Sequence, residues 1–401
     1  MLLALLQTGL QRVDGRRCVR AALEQSAPDA PVWVAAVGKA AIAMAHGAYQ
    51  ALGTALERTL IITRDTHGRD ALPPAMRPEV WVGAHPVPDE RSLAAGQRLL
   101  AWVEELPPHA HPLFLVSGGS SALVEVLQPG ATLADLQALT RAALAADVAI
   151  GEFNARRTAI SRIKGGRLAA RLGGRAAQAL FVSDVPHDDP AVIGSGLMGP
   201  AAGGDHIERR VVASVDHARS AIAARAAQWG LTVHAPAARF AGEATRLAAR
   251  FAHELLLNPA QLCVWGGEST VQLPPHPGHG GRNQHLALAV ARLIAGHSEL
   301  LLLAAGTDGS DGVSVDAGAL VDADTCARLA LDSLDADRCL READSGRALA
   351  ASGDLVHTGP TGTNVGDVVI GLKLPLADAT ELAQRSGVLA EPPGGGATRV
   401  L

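Results

Sequence analysis

Five segments of this 401-residue chain carry side chains that could bind an anion, hold a cation or move a proton, and four of them set glycine beside those side chains. They are Gly38-Lys39-Ala40-Ala41, Ser117-Gly118-Gly119-Ser120-Ser121, Ser183-Asp184-Val185-Pro186, Gly266-Gly267-Glu268-Ser269 and Gly306-Thr307-Asp308-Gly309-Ser310-Asp311-Gly312. Glycine lets the backbone turn sharply, so that successive amides can converge on one cluster of oxygens. In the serine segment a helix beginning at Ser120 or Ser121 would add its positive dipole end, which suits a phosphate or a carboxylate. An ammonium at a helix start, as at Lys39, reaches a phosphate as a point charge. Asp308 and Asp311, on one glycine turn, suit a magnesium ion or its waters, or the acceptance of a proton. The ligand spacing and closing Glu of a calcium loop are missing there.

A second anion candidate is Gly280-Gly281-Arg282-Asn283-Gln284, where a guanidinium fork stands at a helix mouth and Asn283 can cap. Thr358-Gly359-Pro360-Thr361-Gly362-Thr363-Asn364 is a hydroxyl-rich turn suited to phosphate or ribose oxygens. Lysine is scarce: of 35 basic residues only Lys39, Lys164 and Lys373 are lysine, and the first two have glycine neighbours. Where arginine supplies generic positive charge, a surviving lysine marks a place that wants a compact ammonium on a flexible stem. The histidines do not follow metal-ligand spacing, and Cys18, Cys263, Cys326 and Cys339 form no CxxC pair, so each cysteine reads as a small core residue in a reducing, cytoplasmic setting.

The elements that position these groups are short apolar runs alternating with longer helical patterns. Runs at 32–37, 60–63, 113–116, 179–182, 262–265 and 300–304 alternate with helical stretches at 40–52, 93–106, 133–150, 241–257 and 283–295. Continuous apolar strands between helices imply parallel βαβ units and an α/β fold. In such a sheet the carboxyl ends of the strands face a ligand crevice, and the five segments stand at such ends. One domain is expected over 1–230 and a second over 231–401, with only the tail Pro392-Pro393-Gly394-Gly395-Gly396 reading as disordered.

Composition removes several classes. The net charge of −5 and the scarcity of aromatics (five Phe, five Trp, one Tyr) argue against nucleic-acid binding. No apolar run approaches the ~18 residues of a membrane span, and the opening Met1-Leu2-Leu3-Ala4-Leu5-Leu6 reads as a first helix. The chain lacks G-x-x-x-x-G-K-[ST], so it is no P-loop protein, and it lacks G-x-G-x-x-G after a strand, which disfavours nicotinamide chemistry.

In order along the chain run Gly38-Lys39-Ala40-Ala41, His85-Pro86-Val87-Pro88-Asp89, Val116-Ser117-Gly118-Gly119-Ser120-Ser121-Ala122, Ser161-Arg162-Ile163-Lys164-Gly165-Gly166-Arg167-Leu168, Ser183-Asp184-Val185-Pro186, Asp188-Asp189-Pro190, Gly267-Glu268-Ser269, Gly281-Arg282-Asn283-Gln284, Ala305-Gly306-Thr307-Asp308-Gly309 and Thr361-Gly362-Thr363-Asn364. Together they resemble the glycerate 2-kinase family whose C-terminal part is the MOFRL domain, over about 38–374. The resemblance implies a larger N-terminal Rossmann-like parallel-sheet domain, a smaller C-terminal α/β domain with the MOFRL region at about 297–395, and an active site in an interdomain cleft. It implies transfer of the γ-phosphoryl of ATP to D-glycerate, giving 2-phosphoglycerate, with ATP and Mg2+ or another divalent cation, in the cytoplasm; a homodimer is the assembly to test for.

On that reading Lys39 and Arg282 supply positive charge around the transferring group. Gly38, Ser117, Gly118, Gly119, Ser120, Ser121, Lys164, Gly281, Asn283, Thr363 and Asn364 contact nucleotide or substrate. Asp184 and Asp308 are the candidates for general base, and Glu268, Asp308 and Asp311 for the metal. The chain departs from the family pattern at His187, where the family has glycine, and at Leu197-Met198, where it has Pro-Thr; both bear on the local loop and the fit of the acceptor. The competing readings are an NAD(P)H-dependent hydroxypyruvate reductase and a non-catalytic protein that binds a phosphorylated metabolite. The carboxylates at Asp184, Asp308 and Asp311 disfavour the second.

Overall fold

The computed structural model describes residues 1–145, 150–375, 378, 382 and 398–400. The expected tail at 392–396 and residues 146–149 of the expected 133–150 helix lie outside them. The chain divides into two units, one of Val13–Ser214 with Gly362–Val365, the other of Met1–Arg12, Val215–Thr361 and Gly366–Leu401. One of the breaks between them falls at 214/215, and the first twelve residues and Gly362–Val365 each belong to the unit other than that of their neighbours in sequence. The helix Val215–Gln228 packs on strands of the second unit, which is why it is counted there.

The first unit is built on six parallel strands, β1 (Val32–Val37), β2 (Leu56–Thr63), β3 (Glu79–Val82), β4 (His111–Ser117), β5 (Ala177–Val182) and β6 (Ile207–Ala213), in the order β3-β2-β1-β4-β5-β6. The apolar runs are these strands, and β5 is buried at every position because helices cover both faces of a parallel sheet. Trp102, on the helix Glu90–Glu104, is fully buried and meets Phe114 of β4 edge to face at 5.8 Å. The order reverses between β1 and β4, which puts the turns after those two strands side by side at the ligand-binding end of the sheet.

The second unit carries β7 (Val233–His234), β8 (Phe240–Glu243), β9 (Leu262–Thr270), β10 (Leu300–Gly306), β11 (Gly318–Asp322), β12 (Leu355–His357), β13 (Asp367–Lys373) and β14 (Thr398–Val400). The order is β14-β12-β11-β10-β13-β9-β7, with β8 beside β9. This sheet is mixed: β10 runs antiparallel to β11 and β13, and β13 antiparallel to β9. The stretch between β10 and β11 contains no helix, so the chain returns antiparallel without a crossover. Because β13 lies between β9 and β10 and opposes both, the carboxyl ends of β9 and β10 flank its first residue. Asp367 pairs in register with Gly267 on one side and Gly306 on the other. Below this edge Trp265 stacks on Phe251 with ring centroids 4.5 Å apart.

Candidate functional site

In the first unit the strand register assembles the anion turn. Val37 pairs with Val116, and Ser117 with Val182, so the turns after β1, β4 and β5 emerge side by side. The Lys39 amide donates to the Gly118 carbonyl at 2.9 Å, and the Ala40 amide to Ser117 Oγ at 3.1 Å. Ser117 is fully buried and thus holds the start of the helix Ala41–Leu52. Gly38 has φ +131°, and a Cβ there would lie 2.1 Å from Ser117 Oγ, so only glycine permits this approach. Gly119 (φ +81°) lies under the Lys39 stem, with Lys39 Cγ and the His85 ring each 3.2 Å from where its Cβ would stand. A Cβ on Gly118 would fall 2.0 Å from Asp184 Oδ2 and 2.1 Å from Asn364 Nδ2. Those two are bonded to each other, the Asn364 amide donating to Asp184 Oδ2 at 3.0 Å. Gly38, Lys39, residues 117–121, Asp184 and Asn364 thus share one locality, and Thr363 is buried next to Asn364 in sequence.

Lys164 does not join them at the surface. It is fully buried, and its Nζ donates to the Ser120 carbonyl at 3.2 Å. The departures also resolve. Leu197 and Met198 are buried in the hydrophobic core of the first unit. His187 is exposed with φ +62°, the backbone conformation that glycine accepts without strain.

The second unit gathers the other set around Arg282. Its Nε donates to Asp367 Oδ2 at 2.6 Å, its Nη2 to Asp367 Oδ1 at 3.0 Å, and its Nη1 faces Glu268 Oε1 at 2.8 Å. Asp367 is fully buried, whereas the Glu268 side chain is 53% exposed. Burial disfavours the guanidinium charge, but the Asp367 and Glu268 carboxylates outweigh it and hold Arg282 above its ordinary pKa.

Asp311 lies at the mouth of the helix Arg282–Leu293. Its Oδ1 accepts from the Asn283 amide at 3.1 Å and the Asn283 side chain at 3.3 Å, and its Oδ2 from the Gln284 amide at 2.8 Å. Gly281 leaves room for it, since a Cβ there would meet Asp311 at 2.3 Å. Burial pushes Asp311 up to about 7 against the pull of those amides. Asp311 therefore caps this helix from another loop, and Asn283, expected as the cap, lies inside the helix and donates its side-chain amide to Asp311. Asp308, half-buried, accepts from the Ser310 amide at 3.0 Å and the Ser310 hydroxyl at 2.9 Å, both on Oδ1.

Among the described residues no group of three or more His, Cys, Asp or Glu is placed to hold a metal ion by itself. Magnesium that arrives on nucleotide phosphates needs only one or two carboxylates and keeps several waters. Asp308, whose Oδ1 is taken by Ser310, is the acid of the second unit that could supply one such carboxylate, while Asp311 is engaged by amides and Glu268 by Arg282.

Asp367 and Glu125 carried no local signal that singled them out. The trace they left was an acid at the edge of an apolar run, in Gly366-Asp367-Val368-Val369 and Leu123-Val124-Glu125-Val126.

A glycine turn beside Lys39, at the carboxyl ends of a doubly wound parallel sheet, defines a Rossmann-like α/β protein with its candidate site at those strand ends. Comparison with known proteins narrows this. Residues 1–226 match the family described as "Domain of unknown function (DUF4147)", and residues 261–367 match the MOFRL family. The D-glycerate 2-kinase of Thermotoga maritima is 33% identical, covering 92% of this chain and 96% of its own length. A relative from Agrobacterium vitis, 34% identical over 84% of this chain and 97% of its own, bears a provisional hydroxypyruvate reductase name. The crystal structure of glycerate kinase from Thermotoga maritima superposes with a TM-score of 0.83 at 31% identity, covering 93% of this chain and 98% of that one. The chain belongs to the glycerate 2-kinase family.

Proposed function

We propose that this protein is an ATP-dependent glycerate 2-kinase, which moves the γ-phosphoryl of ATP onto the C2 hydroxyl of D-glycerate and releases ADP and 2-phosphoglycerate. The observation that carries the reading is the turn at 117–119 locked against Lys39, with Asp184 and Asn364 packed on Gly118. It stands in a chain that matches a D-glycerate 2-kinase over 96% of that enzyme's length.

Phosphoryl transfer asks the protein for positioning and for charge around the migrating group. In this reading the 117–121 turn and Lys39 hold phosphate oxygens. Arg282, its plane fixed by buried Asp367, stabilises charge on the transferring group, and exposed Glu268 is the partner it exchanges for substrate. Asp184 accepts the C2 hydroxyl proton as the new oxygen–phosphorus bond forms and the bond from the γ-phosphorus to the β-bridging oxygen breaks. The Asn364 amide orients that carboxylate. Asp308 would hold Mg2+ arriving with the nucleotide, and the ion would supply positive charge against the phosphates. The proposed setting is the cytoplasm. All four cysteines are free, and no helix among the described residues is long and apolar enough to cross a membrane.

The test is incubation of the purified protein with ATP, MgCl2 and D-glycerate, with the product isomer read by phosphorus NMR. The expected product is 2-phosphoglycerate. Formation of 3-phosphoglycerate, or oxidation of NADH with hydroxypyruvate in place of ATP use, refutes the reading.

A further inference from the structure

The 161–166 turn lies inside the first unit and touches three of its loops. Ser161 Oγ donates to Glu125 Oε1 at 2.5 Å and accepts the Ile163 and Lys164 amides at 3.2 and 3.1 Å. The Gly165 and Gly166 amides donate to the carbonyls of Ser195 and Gly196 at 3.0 and 2.8 Å. Ser195 Oγ in turn lies 3.0 Å from Ser121 Oγ and 2.9 Å from Asn154 Oδ1. From this braced turn the Lys164 side chain runs through the interior to the Ser120 carbonyl.

That carbonyl is a weak point of the anion turn. The helix Ser120–Leu123 is a single turn, and Val124 leaves it in extended conformation with φ −134° and ψ 132°. A carbonyl at such an end lacks the amide that a longer helix would supply, and buried it must find another donor. The Lys164 amine is that donor. Its stem spans from one loop to the next, which accounts for one of the three lysines in a chain whose other 32 basic residues are arginine.

We infer that Lys164 is a positioning residue for phosphoryl transfer: by holding the Ser120 carbonyl from behind, it fixes the 117–121 turn in the conformation that receives phosphate oxygens. The inference rests on the proposed kinase reading of that turn. Lys164 touches no reacting atom and acts through Ser120. Two other buried charged residues act on Lys164, Glu125 favouring its ammonium and Arg157 opposing it. Removing the lysine leaves Glu125 bonded to Ser161 and the Val126 amide, with the weaker pull of Arg157, and burial already disfavours its charge.

The experiment compares full-length wild type with Lys164→Met and Lys164→Gln by thermal melting, by steady-state kinetics with ATP and D-glycerate, and by amide hydrogen exchange read peptide by peptide. Lys164→Met is expected to lower kcat/KM at least about tenfold. Exchange should quicken in the peptide spanning 117–124 and stay unchanged in β1 and β2. Lys164→Gln, which keeps an N–H donor, should recover part of both. Turnover within twofold of wild type in folded Lys164→Met overturns the inference, and so does faster exchange spread evenly over the unit. If Lys164→Met does not fold, Lys164→Gln is scored against wild type on the same two readouts. A wild-type protein that does not phosphorylate glycerate refutes the kinase reading alone, and the exchange comparison still decides whether Lys164 holds the turn.

Discussion

Replacing Gly118 with alanine perturbs the anion turn at one atom. The new Cβ would lie 2.0 Å from Asp184 Oδ2, 2.1 Å from Asn364 Nδ2 and 2.6 Å from Asp184 Cγ. A carbon–oxygen contact relaxes to no less than about 3.3 Å, so the carboxylate and the amide must each retreat by about 1.3 Å. Gly118 is not among the positive-φ glycines, so the alanine brings no backbone strain and the effect is steric. A misplacement of about 1 Å at reacting groups costs on the order of 10²-fold in rate. Gly118→Ala is accordingly expected to lower kcat/KM for ATP-dependent glycerate phosphorylation about 100-fold, with a melting temperature close to wild type. Gly119→Ala is the counterpart. Its φ of +81° makes alanine strained, while the nearest atoms include the flexible Lys39 stem at 3.2 Å. It should lose about 1 kcal/mol of stability with a smaller kinetic effect. The assay couples ADP release to NADH oxidation through pyruvate kinase and lactate dehydrogenase. A folded Gly118→Ala enzyme with kcat/KM within threefold of wild type would refute the assignment of Asp184 and Asn364 to the site.

Lys39→Ala and Arg282→Ala should each lower kcat by at least about 10²-fold in folded protein, and near-normal turnover in either removes that residue from the mechanism. Asp367→Asn should cost about 2 kcal/mol in urea unfolding, less than a fully buried pair would lose because Arg282 is 36% exposed; no change in midpoint would count against the pairing. His187→Gly removes a left-handed non-glycine residue and should raise stability by about 0.5 kcal/mol, so a lowered melting temperature would contradict it. Burial lowers the Lys164 pKa from 10.5 to about 7, with Glu125 opposing that shift and Arg157 adding to it. Between those two values the unfolded chain binds more protons than the folded one, so this residue makes stability rise with pH by up to about 1.4 kcal/mol per unit. Below pH 7 its contribution is flat. Urea titrations from pH 6 to 10 should show that slope in wild type and lack it in Lys164→Met.

What the sequence revealed, and what it hid, follows from how each feature is built. The strands of the first unit announce themselves because a sheet buried on both faces needs unbroken apolar runs, and 32–37 is β1 to the residue. The glycine turns were legible for a similar reason, since Gly38 and Gly118 stand where no Cβ fits. Short β11, β12 and β14 gave no such pattern, and a sheet that mixes directions cannot be inferred from helix–strand alternation. Lysine scarcity drew attention to Lys164 but did not give the direction of its side chain, because burial depends on what the 120 and 195 loops do around it.

Asp367 shows the limit most clearly. It is one acid ahead of an apolar run, and it reaches Arg282 only because β13 threads between β9 and β10 with Gly267 and Gly306 as its neighbours. No spacing within the chain encodes that register. The same long-range pairing changes the chemistry assigned to the helix mouth at Arg282. From sequence it offered amides and a guanidinium to an incoming anion, yet Asp311 already occupies the Asn283 and Gln284 amides. An incoming phosphate in the proposed reaction therefore meets the Arg282 side chain and competes with exposed Glu268 for it, not with Asp311. Glu268→Gln should accordingly lower the KM for the anion that Arg282 binds, by about two- to fivefold, because a neutral amide competes less well than a carboxylate at a charge-assisted pair. If the variant raises KM instead, Glu268 is itself a ligand, and the exchange between Glu268 and substrate on Arg282 is wrong.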